Sequence, residues 1–279
     1  IWIAAPIHRY IAAVNDIESF ERGKGFNVTK RLSSPPRLED FAQMRLSKEE
    51  LDDLRDCKLG DCALKLSEEG LARIRADVDW ESENALEAAE SVVRELAYEY
   101  VTGYLEGGNH RLAVYRDKSR PTFVAEEFRS MIGQMPELTA FLPDVRRYLL
   151  EYPSATLPDS TSFLYWQETE FGLKPTIRIS HLVIQEVSDG ALVASKMLYA
   201  SHYFWTAVEL RALIPDPSRG RGFWLVTVSR SRSDGLSGFT GTFVRRRVQN
   251  EVRDGMLGAL QATKTRLEQS EAGGRAQGK

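Results

Sequence analysis

Two cysteines in 279 residues cannot frame a disulfide-dense scaffold. Four histidines scattered along the chain (His8, His110, His181 and His202) cannot supply the three or four clustered ligands that a zinc or similar centre requires, so no metal site is expected. No run of 18 apolar residues occurs, and nothing reads as a helix that would span a bilayer. Charge of one sign is also missing. Lys and Arg total 37 against 40 Asp and Glu, a net of −3 that argues against a general nucleic-acid binder.

Glycine-rich phosphate cradles are absent as well. "ERGKGF" (21–26) lacks the strand–loop–helix setting such a loop needs. "RSRSDGLSG" (230–238) lacks the G-x-S-x-G spacing of a nucleophile elbow. No cofactor is expected on these grounds, and no residue stands out as catalytic.

What is present is ordinary globular composition, 42% apolar and 28% charged, in a chain long enough for one large or two ordinary domains. Cys57 and Cys62 lie in "CKLGDC". In an oxidising compartment they would close a small loop, a stabilisation of about 2 kcal/mol by loop entropy. Free buried thiols are the alternative, and a metal or redox pair would want different spacing. The pair is the sequence's pointer to a periplasmic or otherwise extracytoplasmic location. The chain opens on "IWIAAP", a strand in progress, which suggests that an N-terminal portion precedes it.

Along the chain the pattern changes twice. Ile7, Ile11, Val14 and Ile17 recur at helical spacing after Pro6, which suits a helix start. "SSPPRLEDF" (33–41) breaks the chain, and acid-rich turns are expected over 38–66 around the cysteines, with a solvated face. Residues 67–150 read as helical. Ser67 is placed as an N-cap, Gly107 and Gly108 as a C-terminal stop, and two helices follow at 123–132 and 137–151. From 160 onward the period is that of strands. "TIRISHLVI" (176–184), "ALVASKMLYA" (191–200), "YFWTAVELRALI" (203–214) and "GFWLVTVSRSR" (222–232) form an antiparallel meander, with Asp189-Gly190 as a hairpin turn. The tail repeats Val244, Val248, Val252, Ala259, Thr263 and Leu267 as one helical stripe, and 271–279 reads as a disordered end.

The expected fold is therefore α+β, a curved antiparallel sheet closed by a long C-terminal helix. The opening "IWIAAPIHRYIAAVNDIESF", the strands of 161–232 and "DGLSGFTGTFVRRRVQNEVRDGMLGALQATKTRLE" together resemble the START-related, helix-grip superfamily of lipid-transfer proteins and polyketide cyclases. The resemblance assigns 1–37 and 151–270 to a helix-grip domain and leaves 38–150 as a helical insertion. It implies a hollow between sheet and tail helix.

Phe163, Tyr165, Ile177, Ile179, His181, Met197, Tyr199, His202, Phe204, Trp205 and Trp224 are the residues expected to line that hollow. Most carry apolar walls, and a few can orient a ligand. Lys196, inside an apolar strand, either points outward, pairs with Glu168, Glu170 or Glu209, or meets a ligand headgroup. Seven arginines against Asp234 fall within 217–249. Of these, Arg245, Arg246 and Arg247 sit at the tail helix start, where the macrodipole disfavours cations. With Leu236 and Phe239 beside them they suit contact with an anionic membrane. The sequence thus reads as a carrier of a hydrophobic molecule or lipid. The alternatives are a cyclase- or hydrolase-type enzyme, with His181 or His202 as base and Tyr199 or Tyr203 as donor, and an interaction protein with a filled interior.

Overall fold

The computed structural model describes residues 1–23, 25–170, 174–234, 253 and 255–269. Its centre is a seven-stranded sheet, antiparallel throughout, built from β1 (Trp2–Ile3), β2 (Phe26–Arg31), β5 (Ser160–Thr169), β6 (Thr176–Val187), β7 (Gly190–Ala200), β8 (Phe204–Pro215) and β9 (Phe223–Ser233), in the order β1-β9-β8-β7-β6-β5-β2. The class is α+β. A small second ribbon pairs β3 (Val114–Tyr115) with β4 (Thr122–Phe123).

Helices α1 (Ile7–Asn15) and α2 (Ile17–Phe20) carry the chain from β1 at one edge to β2 at the other. Tyr10, Ile11, Val14 and Ile17 turn inward and meet Phe163, Tyr165, Leu182, Ile184, Val193, Leu213 and Leu225, which defines one face of the sheet. We call it the α1 face. Residues 255–269 are helical and lie on this side, because Leu267 joins the same cluster. Lys264 Nζ donates to the Trp2 carbonyl, and the Ala4 amide donates to Glu268. The remainder of the expected tail helix lies outside the described residues.

The opposite face is covered by α3 (Lys48–Asp56), α4 (Glu68–Asp77), α5 (Ala85–Gly107), α6 (Val124–Gly133), α7 (Pro136–Phe141) and α8 (Pro143–Glu151). Leu164, Trp166, Ile177, Ile179 and Leu198 pack there against α3–α5, and Val183, Leu192, Ala194, Val208 and Leu210 against α6–α8. With both faces covered, β6 is buried along most of its length. That is why it reads as a nearly continuous apolar run.

Several local expectations hold. Ser67 Oγ accepts from the Gly70 amide at the start of α4, and Gly108 ends α5 with φ 58°. Two need correcting. Residues 38–66 are not only turns: they contain α3, opened by a capping box in which Ser47 accepts from the Glu50 amide and Glu50 accepts from the Ser47 amide. The single helix expected at 137–151 is two, because Pro143 cannot donate to the preceding turn and so starts α8 afresh.

One irregularity decides where side chains point. In β6 and β7, Ile179 faces Tyr199 but Ser180 faces Met197, so Leu198 is an extra residue on β7. The bulge turns both Leu198 and Tyr199 toward the helical side and leaves Met197 on the α1 face opposite Ser180.

Candidate functional site

The segment after the bulge, β7 into β8, feeds a polar cleft at the sheet's end. A space of about 240 Å³ is lined by Ala63, Lys65, Asp117, Lys118, His202, Tyr203 and Asp234. The disulfide between Cys57 and Cys62 closes the loop that leads into Ala63. Within its loop the Gly60 amide donates to Arg116, and the Cys62 amide donates to Asp117. Tyr203 takes φ 58°, a left-handed conformation uncommon for a tyrosine, and its carbonyl accepts from the Asp234 amide. Lys65, only 2% exposed, holds Asp117 at 3.3 Å and Asp234 at 2.6 Å, and its ammonium lies 5.4 Å from the Tyr115 ring centre.

Behind the cleft His202 is locked on both ring nitrogens. Nδ1 lies 3.1 Å from the Ala63 carbonyl and Nε2 lies 2.9 Å from Glu50 Oε1. A carbonyl can only accept, so Nδ1 carries a proton. Burial pushes the Glu50 carboxyl up, but the His202 contact and the Ser47 amide outweigh it and hold the group below the usual carboxylate range. Glu50, 3% exposed, is thus the exception to the expected solvated acids of this region.

A second polar cluster lies deeper, under α5 and α8. His181 Nδ1 is 3.0 Å from the Tyr104 hydroxyl and Nε2 is 3.3 Å from the Tyr148 hydroxyl, with the Tyr152 ring centre 4.7 Å away. Burial, helped by the charge of Lys196, drives the imidazole down to about 3, so it is neutral at ordinary pH. Lys196 neither points outward nor pairs with an acid. It is 1% exposed, donates to Asn109 Oδ1 and lies 4.5 Å from the Phe128 ring centre and 5.2 Å from that of Tyr104. Burial lowers its ammonium to about 7.

The residues expected to line one hollow occupy different places. Phe163, Tyr165 and Met197 face α1, with Phe163 capped by the Arg31 guanidinium 4.0 Å from its ring. Ile177, Ile179, His181, Tyr199 and Trp205 face the helical layer. His202 lines the cleft, and Phe204 opens β8 half-buried. Trp224 sits at the β1 edge, packed edge-on to Trp2 beneath Arg219. Phe163 and Tyr165 lie across from Leu182 and Ser180 and so share no face with Ile177, Ile179 and His181, while the bulge at Leu198 separates Met197 from Tyr199. Leu236, Phe239, Arg245, Arg246 and Arg247 lie outside the described residues.

The groups considered for acid–base work spend their polar atoms on the protein. Besides the two histidines, the Tyr199 hydroxyl donates to the Lys65 carbonyl, and the Tyr203 hydroxyl accepts from the Lys174 amide. Among the described residues no three His, Cys, Asp or Glu side chains converge as metal ligands, and no helix is long and apolar enough to cross a membrane. What no sequence pattern marked is the Lys65–Asp117–Asp234 cluster, whose members come from three distant segments.

Comparison with known proteins found no matching family model, no matching curated protein and no matching solved structure.

Proposed function

We propose that the chain binds a hydrophobic or amphiphilic small molecule, such as a lipid, on the α1 face of the sheet, between the strands and the C-terminal segment, and carries it unchanged. The observation that carries this reading is the make-up of that face. Phe163, Tyr165 and Met197 supply an apolar and aromatic floor, interrupted by Ser180 and Ser195. This mixture of greasy wall and sparse polar groups is what sites for such ligands use.

Two further features support it. The described part of the tail helix is fastened on this same side, through Leu267, Lys264 and Glu268. A helix continuing across the sheet from there would close the floor, which is the helix-grip arrangement. Helices α1 and α2 cross between β1 and β2 at opposite edges and already pack on that face, so the ligand would lie beside them. In this reading Leu236, Phe239 and Arg245–Arg247 meet an anionic membrane during loading.

Binding without chemistry is the better reading because the two histidines and two tyrosines considered as catalysts are each engaged by protein atoms. Native mass spectrometry of protein from its own host should reveal a co-purifying lipid, and the delipidated chain should take up a fatty acid, sterol or quinone analogue. Failure of all three classes, with nothing co-purifying, overturns the proposal.

A further inference from the structure

The α1 face also holds polar atoms that the protein leaves unspent. Arg178 Nε, Ser180 Oγ and Arg211 Nη1 are buried without a hydrogen-bond partner. All three belong to this face. Arg178 and Ser180 alternate with Ile177, Ile179 and His181 on β6, and Ser180 lies directly across from Tyr165. Arg211 comes from β8, across from Val193 of the α1 cluster. Tyr165 stands among them. Burial raises its phenol, and the charges of Arg178 and Arg211 oppose that rise, so both guanidiniums lie within its field.

A buried donor left without an acceptor costs about 1–3 kcal/mol, more when it is charged, so three on one face call for a reason. The two arginines differ in what they still need. Arg211 is held by Glu209 and by Glu21, the latter 3.2 Å away. Its charge is therefore matched, and only Nη1 is left over. Arg178 has no carboxylate within ion-pair distance among the described residues. The unspent atoms of the arginines can only donate, and the serine hydroxyl can donate as well. Together they ask for an acceptor, and Arg178 asks for one that carries negative charge.

Building on the function proposed above, we infer that the ligand's head is a single carboxylate, taken by Arg178 Nε and Ser180 Oγ beside Tyr165, with its hydrocarbon part running over Phe163 and Met197. Carboxylate and guanidinium match in shape, and charge-assisted bonds of this type are about twice as strong as neutral ones. A dianionic phosphate monoester fits less well. Arg178 offers one unmatched positive charge, and Glu21 and Glu209 already bring two negative charges to the same face.

The test uses the full delipidated chain and three probes of equal length: hexadecanoic acid, methyl hexadecanoate and hexadecanol. Calorimetry is run at about pH 8, where the acid is ionised. The acid should bind about tenfold or more tightly than the ester and the alcohol. Arg178→Met should bring the acid to the level of the ester, and Ser180→Ala should narrow the preference without erasing it. If the wild-type chain takes the ester as well as the acid, the carboxylate inference falls while the carrier reading stands. If the folded chain takes none of the three, the carboxylate inference falls, and the carrier reading falls with it only when sterol and quinone analogues also fail to bind and nothing co-purifies. Should Arg178→Met fail to fold by circular dichroism, Ser180→Ala decides, and an unchanged acid preference in it overturns the inference.

Discussion

The Lys65 ammonium lies 2.6 Å from the Asp234 carboxylate, joining the segment after the disulfide loop to the end of β9 across 169 positions of sequence. With Asp117 at 3.3 Å it forms a triad of one cation between two acids, in which Lys65 and Asp117 are buried and Asp234 is partly exposed. Replacing the cation alone leaves the acids facing each other. Lys65→Met is expected to cost roughly 3 kcal/mol, because an uncompensated buried charge is worse than the loss of the pair. Urea unfolding followed by tryptophan fluorescence measures this, and a cost below about 0.5 kcal/mol would mean the triad is loosely solvated.

Lys196 gives the protein a pH dependence of definite sign. Burial lowers its ammonium to about 7 in the folded chain, so between that value and the ordinary lysine value of about 10.4 the unfolded chain holds the extra proton. Stability contributed by this site therefore rises with pH across that window. Lys196→Met should flatten the rise and add about 1 kcal/mol near neutrality. Unfolding curves at several pH values, wild type against variant, check it.

His181 acts in the acid range. Its folded value near 3 is below the ordinary value of about 6.5, so unfolding takes up a proton between them and the chain loses stability as pH falls through that range. His181→Gln should weaken that acid sensitivity. The variant also gives up the contacts to Tyr104 and Tyr148, a loss of about 1–2 kcal/mol at neutral pH.

Gly108 admits no side chain. Its φ is 58°, and a Cβ there would fall 1.7 Å from the Tyr152 carbonyl oxygen. Gly108→Ala should therefore destabilise by more than the roughly 1 kcal/mol of left-handed strain, since α5 and the segment after α8 must separate. A thermal melt lowered by only a degree or two would show that the backbone relaxes freely.

Reducing the Cys57–Cys62 bond should loosen the cleft before it unfolds the chain. The loop is short, so the expected loss is about 2 kcal/mol. Hydrogen exchange at the Gly60 and Cys62 amides, which donate to Arg116 and Asp117, should rise first.

Much of this architecture could be read from residue order. The strands from 176 to 233, the turn at Asp189-Gly190 and the stop at Gly108 all follow from period and from turn chemistry. Helix α3 was also legible, since Ser47 and Glu50 spell a capping box, but the density of acids around it suggested open turns instead. The site was harder. One extra residue at Leu198 puts Met197 and Tyr199, two apart in sequence, on opposite faces, and no local signal announces a bulge. The partners of Lys65 and Lys196 could not be foreseen, because Asp234 and Asn109 reach them only through the tertiary fold.

The chain leaves the sheet after β2 and re-enters it at β5, and these two strands are neighbours, with Arg31 opposite Tyr165. The whole block of α3–α8 is therefore mounted like the loop of an oversized hairpin, its exit and return about one strand spacing apart. Such a cassette can be gained, exchanged or trimmed in descent without rethreading the strands. Any shortened descendant would need to recolour the outer side of β5–β8 from aliphatic to hydrophilic.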